Sequence, residues 1–102
     1  MLRHVVFLRW QEGAGEEDKK RVEEGLAGLP GVIPEIKRYE FGGDAGLASG
    51  NFDFALVADF ESQDDYETYQ NHPQHLQVIQ QAIKPVISER AAVQYWLTDS
   101  QG

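Results

Sequence analysis

Apolar and polar residues alternate through residues 2–10. His4, Val6, Leu8 and Trp10 fall on one face of a predicted strand, and Arg3, Val5, Phe7 and Arg9 on the other. Gly13-Ala14-Gly15 ends that strand. The period then changes: Val22, Leu26 and Leu29 recur at i, i+4 and i+7, predicting a helix over residues 16–28. Glu16, Glu17 and Asp18 sit in its first turn, where negative charge complements the helix dipole, while Gly25 and Gly28 weaken its end. Residues 32–43 predict a second strand, entered at Pro34, with Lys37, Tyr39 and Phe41 on one face. Residues 42–51 are glycine-rich and predict a loop.

Alternation returns most clearly in residues 52–61. Phe52, Phe54, Leu56, Ala58 and Phe60 are all apolar and predict the buried face of a third strand. Ser62, followed three residues later by Asp65, is a helix-start signature for a short helix over about residues 63–71. His72-Pro73 restarts the helix, because proline suits the first helical position and disfavours helical angles in its predecessor. Leu76, Ile79 and Ile83 then form a stripe at i, i+3 and i+7, closed by Lys84-Pro85. In residues 89–97, Val93, Tyr95 and Leu97 alternate with Ala92, Gln94 and Trp96, a last strand before a polar tail.

The order β-α-β-β-α-β predicts an α+β, ferredoxin-like domain: an antiparallel sheet with its helices on one face. At 102 residues it is read as a single domain with its core in residues 2–97. Helices on one face leave Val5, Phe7, Ala55, Val57, Val93 and Tyr95 on the other. Such an apolar patch is large for a monomer, and a homodimer that packs two sheets face to face is the expected solution.

Charge narrows the partners. The formal net charge of −8, with 17 acidic residues, opposes nucleic acid and anionic membranes. The apolar run at the start is too short for a signal peptide or a membrane span, so a cytoplasmic location is expected. With no cysteine, disulfides and thiolate chemistry are excluded.

Candidate chemistry concentrates in Tyr69-Gln70-Asn71-His72-Pro73-Gln74-His75. His75 with Tyr69 nearby forms an acid–base pair in which the phenol orients an oxyanion. His4, Lys37 and Gln94 are placed on the helix-facing side of the sheet, which predicts a polar-lined pocket beneath Tyr69 and His75. His72 is a further ligand-binding candidate at its lip. No metal is expected: His72 and His75 are splayed by Pro73, and no carboxylate has ligand spacing. No cofactor is expected either, since the chain lacks a phosphate loop, a dinucleotide fingerprint and a nucleophile elbow.

Four motifs in order carry a resemblance: Leu2-Arg3-His4-Val5-Val6-Phe7-Leu8, Ile33-Pro34-Glu35-Ile36, Phe60-Glu61-Ser62 and His72-Pro73-Gln74-His75. Together they resemble the stress-responsive A/B barrel domain (Dabb) family across residues 2–97. The resemblance implies a ferredoxin-like protomer and a dimeric α+β barrel. Most members have no assigned activity, but one plant member closes a linear polyketide by aldol condensation without a cofactor. Residue by residue, the likeness implies its catalytic histidine and tyrosine at His75 and Tyr69, and its pocket histidine and lysine at His4 and Lys37. Phe54 stands where that enzyme has a further pocket histidine, and Gln94 where it has an acid. The expectation is therefore a homodimer with a pocket for a small apolar or polyketide-like molecule. The alternatives are a cofactor-free cyclase or lyase using His75 and Tyr69, and a structural protein with a filled core.

Overall fold

A computed structural model describes residues 1–98; the polar tail from Asp99 onward lies outside the described residues. The elements run β1 (Leu2–Trp10), α1 (Glu16–Ala27), β2 (Arg38–Gly43), β3 (Phe54–Phe60), α2 (Gln63–Asn71), α3 (Pro73–Val78) and β4 (Ile87–Trp96). The sheet has the order β2-β3-β1-β4, and every neighbouring pair is antiparallel. This is the ferredoxin-like α+β arrangement. Its core joins Val6 and Leu8 of β1 to Phe54, Leu56, Ala58 and Phe60 of β3, under Val22 and Leu26 of α1 and Tyr69 of α2.

Local chemistry sets the element ends. Gly13 turns with φ 93°, a left-handed conformation that glycine adopts without a Cβ clash. Ser62 accepts a hydrogen bond at 3.1 Å from the Asp65 N–H and so starts α2. At the junction of α2 and α3, His72 is extended (φ −66°, ψ 134°), and its Nδ1 accepts from the Gln74 N–H at 3.1 Å. Pro73 follows as the first residue of α3. In α1, Gly25 lets the helix lie against Val78, whose methyl carbon would be only 3.1 Å from an added Cβ.

Four sequence expectations are corrected. The second strand begins at Arg38, not at residue 32. Before it, the Val32 and Ile33 N–H groups bond to the Leu29 carbonyl and the Ile36 N–H bonds to that of Ile33, so local turns replace a ladder and bury Ile33. Phe52 precedes β3 and lies on the opposite side of the sheet from Phe54, 6.0 Å from the Phe7 ring and beneath Arg9. The last strand begins earlier than expected, at Ile87. The last helix is also irregular: α3 passes into a π-helical turn, Ile79–Ile83, and a 3-10 turn, Lys84–Val86. The inserted residue puts Ala82 and Val86 in the core, while Leu76, Ile79 and Ile83 line an open cavity.

The sheet face away from the helices leaves Phe7, Val93 and Tyr95 exposed. Arg3 and Asp59 pair across β1 and β3 on this face through two hydrogen bonds of 2.8 Å, and Asp59 is almost fully buried. The Arg3 guanidinium holds the Asp59 carboxyl below the usual carboxylate range. No helix among the described residues is long and apolar enough to cross a membrane.

Candidate functional site

Between the helices and the sheet lies a cavity of about 630 Å³. Its floor is the inward face of the sheet: His4, Val6 and Leu8 of β1, Phe54 and Leu56 of β3, and Arg90 of β4. Its roof is α2, α3 and the π turn, with Tyr66, Tyr69, His75, Ile79 and Ile83. The volume suits a small-molecule site, and the lining mixes many apolar groups with a few convergent polar ones.

The helix break aims the chemistry inward. Because α3 starts afresh at Pro73, the His75 ring folds back over Tyr69, with ring centroids 4.2 Å apart. His75 Nδ1 lies 3.1 Å from the Gln70 carbonyl oxygen. A carbonyl oxygen only accepts, so Nδ1 carries the proton and Nε2 keeps the lone pair. Burial is the main cause that lowers the His75 pKa below its ordinary value; the Arg90 charge adds to this, and the Gln70 contact partly opposes it. His75 is thus a neutral imidazole of fixed tautomer.

The Tyr69 hydroxyl does not bond to His75. It shares a 2.8 Å hydrogen bond with the Tyr39 hydroxyl. Burial pushes the Tyr69 phenol up to about 12 and raises that of Tyr39 as well. Both phenols therefore stay protonated at neutral pH, and the pair can offer one hydroxyl hydrogen to a ligand oxygen.

His4 faces Tyr66 at 5.0 Å and Tyr69 at 6.2 Å between ring centroids. Its Nδ1 lies 2.7 Å from the Gln94 side-chain amide. Burial, with smaller effects from Arg90 and His75, lowers its pKa to about 4. Gln94 thus serves His4 and makes no hydrogen bond to His75.

The expected site residues separate into two groups. His4, Tyr69 and His75 all line the cavity. Gln94 reaches it only through His4, and itself borders a shallower groove beside Tyr66 and Trp96. His72 caps α3 and does not line the cavity. Lys37 is exposed ahead of β2, where its N–H bonds to the Asp59 carbonyl. Lys37 does not line the cavity. Among the described residues, no three His, Cys, Asp or Glu side chains cluster as a metal site.

Sequence reasoning passed over Arg90, Lys84 and Tyr66, all of which line the cavity. Arg90 was within reach: it has the same strand parity as Ala92 and Gln94 and pairs opposite Leu8.

The sequence pattern described as the stress responsive A/B barrel domain matches residues 2–97. The chain belongs to that family. In fold, this stress responsive A/B barrel domain is similar to a dimeric ferredoxin-like protein of unknown function from Thermobifida fusca. The two are 42% identical with a TM-score of 0.87, and the match covers 94% of this chain and 90% of that one. A dimeric ferredoxin-like protein of unknown function from Bacteroides fragilis is 25% identical with a TM-score of 0.80, covering 94% and 95% of the two chains. A hydroxynitrile lyase from Passiflora edulis shares the fold at 20% identity and a TM-score of 0.85, covering 97% and 94%. Among curated protein sequences, none matches this stress responsive A/B barrel domain.

Proposed function

We propose that this protein is a homodimer in which each protomer holds a small, largely apolar molecule between its sheet and helices. The observation that carries the reading is the cavity of about 630 Å³ under Tyr69 and His75, which the core residues leave unfilled. The dimer is supported by the exposed Phe7, Val93 and Tyr95 on the opposite sheet face. It is further supported by the dimeric relatives from Thermobifida fusca and Bacteroides fragilis. The neutral fluorophore N-phenyl-1-naphthylamine tests the binding site. It is expected to bind saturably at one site per protomer, and Ile83→Trp, which fills the cavity, should abolish that binding. Non-saturable binding, or binding that survives Ile83→Trp in a folded protein, removes the reading.

One observation favours a second, catalytic reading. His75 lines the cavity with its Nδ1 committed to the Gln70 carbonyl, which leaves the Nε2 lone pair for a general base. A cofactor-free cyclase or lyase would use Nε2 to take a proton and the Tyr69 hydroxyl to hold the carbonyl oxygen. The hydroxynitrile lyase from Passiflora edulis places lyase chemistry on the same fold. Binding remains the preferred reading, because a backbone carbonyl and not a carboxylate backs His75, and burial disfavours its imidazolium. Under the catalytic reading, His75→Ala lowers turnover of a polyketide thioester or a hydroxynitrile by about a hundredfold or more. Unchanged turnover in that variant eliminates it.

A further inference from the structure

The charge inside the cavity runs against that of the protein. The chain carries 17 acidic residues and a net charge of −8. Yet no described carboxylate lines the cavity, and the charged side chains that do line it are Lys84 and Arg90. Arg90 stands on the inward face of β4, directly across from Leu8, and is exposed at the edge of the cavity. It faces His4, Tyr66, Tyr69 and His75, none of which is negative at neutral pH. Among the described residues, Arg90 takes part in no ion pair, although Arg3, Arg9, Arg21 and Arg38 are all paired. A guanidinium beside a largely apolar cavity is most stable when an anion completes its planar fork of donors.

We infer that the cavity selects an amphiphilic monoanion, an apolar body bearing one carboxylate, and that Arg90 binds the carboxylate through its fork. A phosphate dianion fits less well, because the surface of the cavity is mostly apolar and suits a body that carries a single charge. With the carboxylate on Arg90, the apolar body lies along Leu8, Phe54, Ile79 and Ile83. This inference rests on the cavity being a binding site and adds the class of ligand.

Displacement of N-phenyl-1-naphthylamine by octanoate and by octan-1-ol, which share a chain and differ in charge, tests it. For the native protein, octanoate is expected to act at about a tenfold lower concentration than octan-1-ol. Arg90→Gln should erase that preference and leave octan-1-ol unchanged, while Arg90→Lys, a charge without the fork, should reduce it several-fold. If Arg90→Gln does not fold by circular dichroism, Arg90→Lys decides: an unchanged preference overturns the fork. Equal action of the two probes on the native protein, or a preference that survives in folded Arg90→Gln, overturns the inference while the binding site stands. Failure of the fluorophore to bind at all removes both.

Discussion

His4 is held as a buried neutral imidazole in a cage of Gln94, Tyr66 and Tyr69, with the Arg90 charge also disfavouring its protonation. Its pKa falls from 6.5 to about 4. Between those values the unfolded chain binds a proton that the folded protein refuses, so stability rises with pH across this window and is lost as pH falls through it. The shift corresponds to roughly 3 kcal/mol from His4 alone. His75, also lowered, acts in the same direction. Urea unfolding at pH 6.5 and pH 4 should therefore show a larger loss of stability in the native protein than in His4→Gln. Equal losses would mean that His4 is already charged in the folded state. The comparison cancels the relief of general acidic repulsion, which both proteins share. At this scale the sequence was partly legible. His4, Tyr69 and His75 could be grouped from strand parity and helix spacing, whereas the partners that set their charge could not. The Tyr39–Tyr69 hydroxyl contact and the Gln94–His4 contact are cross-strand and interlayer events that depend on register.

The break between α2 and α3 is the element that makes the site. The His72 side chain caps α3, and the extended His72 backbone turns His75 back toward Gln70. Removing the cap with His72→Ala should lower stability by about 1 kcal/mol, and His72→Asn, a strong capping residue, should restore most of it; equilibrium urea unfolding measures both. A neutral His72→Ala would show that Pro73 alone holds the break. The limits of α2 were readable, because Ser62 and Pro73 punctuate it chemically. Those of β2 were not: the pattern in residues 32–37 looks like alternation, but it comes from a turning chain that buries Leu29 and Ile33. The π turn was equally hidden. The spacing of Leu76, Ile79 and Ile83 suits a regular helix, and the inserted residue shows only in which side chains, Ala82 and Val86, reach the core.

At the scale of the whole molecule, the exposed sheet face predicts assembly. Burying a few hundred Å² of it at about 25 cal/mol per Å² would contribute several kcal/mol per protomer. Sedimentation should give about twice the chain mass of 11.5 kDa. Val93→Asp, which puts a charge amid Val5 and Tyr95, should shift the species toward the single-chain mass; a native protein already at that mass ends the dimer reading. The architecture was legible because it follows from element order and from the two faces of each strand, which do not require exact boundaries. Strand β1 runs through the centre of the sheet, with His4, Val6 and Leu8 toward the cavity and Arg3, Val5 and Phe7 toward the open face. The even and odd positions of this strand are separate channels of variation. Substitutions at even positions can retune what the cavity accepts without disturbing self-association, and those at odd positions can rewrite self-association without altering the cavity. A library randomised along one parity of β1 would therefore explore one property at a time, whereas a single-residue insertion would exchange the two channels and forfeit both.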